Sequence, residues 1–307
     1  MSLPRRIVPG TTYLLTRRCV QRRFLLVPRG ITPKLFGYCF ALAAQRHGIL
    51  VHALTCMSNH YHAMLTDPHG RLPAFARDLN SLTARALNAH YGRWEALWSS
   101  QRLSLVEVVD APDVWDKLVY TITNPVEAGL VARSAQWPGL RTRPVDIERA
   151  PRVFERPQTA FFEKSRLPAK VSLPLSVPPL LEPCDAPTFA RELQARVAER
   201  EATIRDRMAA SGRTFLGAAA VKRQRRDAQP KTRERRRGRD PAVACRDRAR
   251  RVAALARLRR FRDAYRRALE MWRERTGPVV FPEGTYQMRD YPGVIMNLPP
   301  PLRGQAA

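Results

Sequence analysis

Between Thr11 and Val109 the spacing of apolar residues switches repeatedly between the two-residue period of a strand and the roughly 3.6-residue period of a helix, and few folds accommodate that alternation. Thr11 to Leu15 is β-prone. After the basic stretch Thr16-Arg-Arg-Cys-Val-Gln-Arg-Arg23, the run Phe24-Leu-Leu-Val27 reads as a second short strand or a strand edge. A helix is predicted over 32–47, with Thr32 as N-cap, Pro33 at the first helical position, apolar residues at Leu35, Phe36, Cys39, Leu42 and Ala43, and Gly48 as C-cap. Ile49 to Met57 and His60 to Thr66 read as two strands joined tightly by Ser58 and Asn59, a hairpin. Leu72, Phe75, Ala76, Leu79, Leu82, Thr83, Ala86 and Leu87 then keep helical spacing up to about Tyr91, and Gln101 to Val109 returns to a strand. The order β-α-β-β-α-β predicts an α+β fold, a ferredoxin-like sandwich on an antiparallel sheet. One more helix should start at Asp110 as cap and end at Asn124, because the residue before Pro125 is pushed out of helical space.

Beyond this unit the composition changes. Prolines recur every few residues from about Trp137 to Pro187, which predicts a linker or a surface-hugging loop region. Ala190 to Met208 is an Arg/Glu-rich helical stretch, and residues 222–267 hold about 20 Lys/Arg against 5 Asp/Glu. Within that block Val252, Leu255, Leu258, Phe261, Tyr265 and Leu269 recur at helical spacing, so a long amphipathic helix with arginines outward is expected. The domain expectation is therefore a folded unit at 1–136, a Pro-rich linker at 137–187, and a basic, mainly helical extension at 188–307 that contacts nucleic acid.

The formal net charge is +27, which surrounds the molecule with a positive field and favours a polyanionic partner, nucleic acid first. Five cysteines stand singly with no CxxC pair, which fits a reducing compartment. No leader-like apolar segment follows Arg5 and Arg6, and no stretch approaches the roughly 20 apolar residues of a membrane span. A soluble, cytoplasmic protein is expected.

The residues with chemistry fall in two places. His60 and His62 alternate with Tyr61 on a strand, so both imidazoles project from one face. Alone, such a pair is structural, metal-binding or idle. On the helix after Asp110, Val114, Leu118 and Ile122 form one stripe, while Asp116, Tyr120 and Asn124 form another turned well away from it. If the second stripe lies against the face where the histidines point, two imidazoles, an amide and a phenol converge. Such a set suits phosphodiester transfer: a divalent ion on His60, His62 and Asn124 acts as a Lewis acid, and Tyr120 attacks once its proton is removed. The donors accept Mg²⁺ or Mn²⁺, and Zn²⁺ or Ni²⁺ with higher affinity. Asp116, four residues before Tyr120, is a solvated acid or a base for it. His47, His52, His69 and His90 have no partner at ligand spacing and no assigned role.

Met57-Ser-Asn-His-Tyr-His-Ala-Met-Leu65 resembles the HUH signature of the single-tyrosine, single-strand transposases, and Val119-Tyr-Thr-Ile-Thr-Asn-Pro-Val-Glu-Ala-Gly-Leu-Val131 is similar to the stretch that carries their nucleophile. Among these the chain looks most like the REP-associated tyrosine transposases, over about residues 8–135. The resemblance implies a ferredoxin-like domain that cleaves single-stranded DNA at or near hairpins, with Tyr120 giving a 5′-phosphotyrosine and a 3′-hydroxyl. It also implies His60, His62 and Asn124 as the metal ligands. Two departures stand out: Tyr61 occupies a position where an aliphatic is commoner, and no His or basic residue follows the tyrosine on its helix. Arg17, Arg18, Arg22 and Arg23 are candidate contacts to the DNA backbone. Monomer and homodimer are equally open. The competing expectations are a domesticated relative that holds hairpin DNA or structured RNA without cutting, a relaxase or replication initiator, and a basic RNA-binding α+β protein.

Overall fold

A computed structural model describes residues 4–101, 103–232, 241–275 and 277–297. Of the stretches discussed above, residues 1–3, 102, 233–240, 276 and 298–307 lie outside the described residues. The chain runs β1 (Thr11–Arg18), α1 (Thr32–His47), β2 (Leu50–Cys56), β3 (His60–Asp67), α2 (Leu72–Tyr91), β4 (Ser104–Val108) and α3 (Ala111–Glu127). Then come β5 (Arg152–Glu155), a short α4 (Ala160–Glu163), β6 (Lys170–Leu173), α5 (Ala186–Ala210), α6 (Ala218–Arg223), β7 (Val243–Ala244), α7 (Arg248–Arg273), β8 (Val279–Phe281) and β9 (Val294–Met296).

The result is a mixed α/β fold around a mostly antiparallel sheet of strand order β2-β3-β1-β4-β7. Only the last pairing, β4 with β7, is parallel. Strand alternation divides the sheet into two faces. Leu15, Tyr61, Ala63 and Leu65 join Phe36, Phe40, Phe75 and Leu79 of α1 and α2 in the largest core cluster. On the other face Ala53, Met64 and Val108 meet Val114, Leu118 and Ile122 of α3, with Phe189, Leu193 and Val197 of α5 behind them. The helical stripe read from the sequence is thus the buried one.

Local departures from the sequence reading have physical causes. Thr32 is the first residue of α1 and does not cap it; its hydroxyl bonds the Tyr91 hydroxyl at 2.8 Å, while Gly48 closes the helix at φ +64°. Phe24 to Val27 form no strand. Gln21 and Arg22 adopt positive φ just before them, and Leu25, Leu26 and Val27 fill the core from a loop. Helix α3 runs past Pro125 to Glu127, because only one N–H is missing and Ile122 and Val126 are buried on either side of the proline. Residues 137–187 include the β5/β6 hairpin, whose Phe154, Val171 and Leu173 enter the main core against α1. A Cβ on Gly37 would overlap the Phe154 ring, so this close approach needs glycine. In α7, Phe261 and Tyr265 are buried against Phe281, but Val252 is exposed. No helix among the described residues is long and apolar enough to cross a membrane.

Candidate active site

The histidine pair is set by register. In the antiparallel pairing of β1 with β3, Thr16 stands opposite His62 and Arg18 opposite His60, so all four share the sheet face that α3 covers. Tyr61 points the other way. It is fully buried against Phe36 and Trp98, at ring separations of 5.1 and 5.8 Å, and its hydroxyl donates to Asn80 at 3.0 Å. An aromatic residue between the histidines is therefore a core residue of the opposite face and leaves the site unchanged.

The His60 and His62 rings meet edge to face with centroids 4.8 Å apart, and the His62 ring meets Tyr120 at 5.1 Å. His60 Nδ1 donates to the Asn59 side-chain oxygen at 2.6 Å, and His62 Nδ1 bonds the Thr16 hydroxyl at 2.7 Å. With its Nδ1 proton on Asn59, His60 presents Nε2 as the lone-pair nitrogen, and His62 does the same in the tautomer whose Nδ1 donates to Thr16, the arrangement usual for metal-ligating histidines. Burial, and then the neighbouring His60, push the His62 pKa well below its ordinary value, so His62 is neutral at neutral pH. A neutral imidazole is the ligating form. These donors fit a divalent ion.

Tyr120 is 41% exposed and lies beside a cavity of about 320 Å³. Thr16, Arg17, Arg18, His62 and Lys117 line the cavity with it, and Pro241, Val243 and Ala244 form one wall. Arg17 also donates to the Gln101 carbonyl at 2.7 Å. Arg22 instead faces residues 225–232, donating to the Thr232 carbonyl at 2.7 Å and hydroxyl at 2.9 Å, and the charge of Arg23 acts on Asp227 in the same segment. Asn124 is 8% exposed and lies one turn beyond Tyr120 on α3. Asp116 pairs with Arg246 at 2.5 Å, which directs its carboxylate to the C-terminal segment.

Three supporting residues escaped the sequence reading. Lys117 precedes Tyr120 by three positions, a spacing that places both on one helical face and was legible. Asn59 adjoins His60 inside the quoted signature. Thr16 became visible only through cross-strand register.

No family model and no curated protein sequence matches the chain. Among solved structures it is similar to a REP-associated tyrosine transposase bound to a REP hairpin, at 20% identity and a TM-score of 0.42, over 48% of this chain and 87% of that one. It is also similar to a candidate transposase from Deinococcus radiodurans R1, at 19% identity and a TM-score of 0.27, over 34% of this chain and 85% of that one.

Proposed function

We propose that this chain is a metal-assisted enzyme of single-stranded DNA cleavage and strand transfer, acting at hairpin-forming sites with Tyr120 as nucleophile. The observation that carries the reading is the contact of the His62 and Tyr120 rings, 5.1 Å apart, beside a cavity lined by Arg17, Arg18 and Lys117. On this reading the β1–β4 unit is a ferredoxin-like platform, residues 1–136 are the catalytic part, and the extension at 188–307 adds DNA contacts.

His60, His62 and Asn124 would hold the ion, Mg²⁺ or Mn²⁺, with imidazole donors favouring Mn²⁺ of the two. Once bound, the ion supplies Lewis-acid stabilisation of charge on phosphate oxygens. The chain's own residues do the rest. Arg17 and Arg18 draw the backbone into the cavity, with Arg22 and Arg23 as outlying phosphate contacts. Lys117, one turn before Tyr120, lines the same cavity and would meet phosphate oxygens there. The Tyr120 oxygen forms a bond to phosphorus as the bond from phosphorus to the 3′ oxygen breaks. The phenol's proton passes to solvent, and the departing oxygen takes one up as a 3′-hydroxyl. The 5′-phosphotyrosine keeps the bond energy for rejoining.

The test is incubation of the protein with a single-stranded hairpin oligonucleotide from its own genome and Mn²⁺, followed by denaturing electrophoresis. A denaturation-resistant adduct is expected from the wild type and none from Tyr120→Phe. An adduct from Tyr120→Phe refutes the nucleophile. Tight hairpin binding with no adduct refutes the enzyme and leaves a non-cutting hairpin binder.

A further inference from the structure

The first turn of α3 carries a second set of metal-type donors, made of residues that the proposed reaction does not use. Asp110 caps the helix, its Oδ1 accepting the Asp113 backbone N–H at 3.2 Å. Asp113 Oδ1 in turn accepts the backbone N–H of Arg246 at 3.0 Å. Cys245, just after β7, brings its Sγ to 3.8 Å from Asp110 Oδ2 and 3.4 Å from the Asp247 carbonyl. One ligand atom from each of the three side chains lies within 4.8 Å of the others. All three are nine-tenths buried or more, and Asp113 Oδ2 is buried with no hydrogen-bond partner.

Helix capping does not account for this arrangement. A cap needs one carboxylate oxygen and one N–H, whereas here a second carboxylate and a thiol are buried beside the first. A buried carboxylate oxygen without a donor is unfavourable unless a proton or a cation meets it. Three groups that are each anionic when ionised share this volume only if protons or a cation offset their charge. Arg250, at 3.3 Å from Asp110 Oδ2, offsets part of it from a mostly exposed position.

We propose that Asp110, Asp113 and Cys245 form a binding site for a thiophilic divalent ion of the Zn²⁺ class. Each carboxylate has one oxygen fixed by a backbone N–H, the outer-shell bond that orients it; Asp113 Oδ2 is then open as ligand, and Asp110 Oδ2 would share its lone pairs between Arg250 and the ion. With Zn–S near about 2.3 Å and Zn–O near about 2.0 Å, a tetrahedral S–O edge is about 3.5 Å. The observed 3.8 Å is within a few tenths of that. Thiolate ligation selects Zn²⁺, Co²⁺ or Cd²⁺ over Mg²⁺. Binding releases the Cys245 thiol proton, with any proton held between the two carboxyl groups, to solvent. The fourth position is left to water. The ion would tie Cys245 to the helix that carries Tyr120, at a point seven residues, roughly 10 Å along the axis, from the phenol.

Spectroscopy on the full chain tests this. After chelator treatment, titration with Co²⁺ should produce a near-ultraviolet thiolate-to-metal charge-transfer band that saturates at one thiolate-bound ion per chain and is displaced by Zn²⁺. Cys245→Ser should remove the band. Asp113→Asn should weaken Co²⁺ binding by more than about 10-fold, since even outer-shell changes cost about 10–100-fold. The His60→Ala/His62→Ala double variant should keep the band, which separates this site from the proposed nuclease centre. Absence of a band at saturating Co²⁺, a band that survives Cys245→Ser, or unchanged affinity in Asp113→Asn overturns the proposal.

Discussion

Mild acid should loosen this fold through His52. The residue is 3% exposed at the irregularity in β2 between Val51 and Ala53. Its Nδ1 lies 2.8 Å from the Ser176 carbonyl, which only accepts, so Nδ1 carries the proton and Nε2 accepts from the Thr66 hydroxyl at 2.8 Å. The ring is satisfied in its neutral form, and burial lowers its pKa from 6.5 to about 4 against the opposing effect of the Ser176 bond. The sign follows from linkage. Between those two values the unfolded chain holds the extra proton and the folded chain does not, so stability falls as pH falls, by about 1.4 kcal/mol per unit. From pH 7.5 to 4.5 the His52 contribution amounts to a loss of roughly 2.5 kcal/mol, complete once pH is below the folded value. The assay is a series of thermal midpoints over that range for the wild type and His52→Gln, which fills similar space and does not titrate. The variant is less stable at pH 7.5, and its deficit should shrink by about 5 °C as pH reaches 4.5, at about 2 °C per kcal/mol for a chain of this size. Two curves that stay parallel would refute the reasoning, because every other acid-sensitive group is common to both proteins.

Removing the Thr16 hydroxyl with Thr16→Val should raise the Mn²⁺ concentration needed for half-maximal adduct formation by about 10–100-fold, with little change in rate at saturating metal. An unchanged requirement would mean that His62 is oriented by packing alone. Leu118→Ala empties a fully buried position between sheet and α5 and should cost about 2–5 kcal/mol in denaturant unfolding; a loss below about 1 kcal/mol would show that the helix is not anchored by this stripe. His62→Ala should abolish cleavage while hairpin affinity stays within a few-fold, since phosphate contacts carry most binding. A large affinity loss in a filter-binding assay would count against that division of labour.

The parts of this molecule that announce themselves in sequence are those fixed by local periodicity. Helix α1 over 32–47 and the two strands that flank Ser58-Asn59 follow from apolar spacing and turn chemistry, as does the Val114, Leu118, Ile122 stripe. What stayed hidden depends on contacts between segments distant in the chain. Phe154 packs against Gly37, and nothing in the proline-rich stretch around it marks that ring as core. Thr16 supports His62 through strand pairing, which two separate β-prone runs do not specify. Pro125 reads as a terminator because the backbone rule is local, whereas the burial of Val126 that overrides it is tertiary. At the site, His60, His62 and Tyr120 were legible as two face patterns, while their convergence required the sheet order. Asp110 was legible as a cap, but its neighbour Cys245 lies more than a hundred residues away and carries no spacing signal.

The parallel pairing of β7 with β4 bears on how this protein is handled in the laboratory. Strand β4 would otherwise be the outer edge of the sheet, with a row of unsatisfied backbone N–H and C=O groups beside Val106 and Val108. A chain stopped before Val243 would keep both histidines and Tyr120 yet expose that edge, and exposed edges recruit further strands. Such truncations should fail first by aggregation, visible as light scattering at concentrations where the full chain stays clear. Loss of activity in them would therefore report sheet-edge association before it reported anything about recognition of nucleic acid.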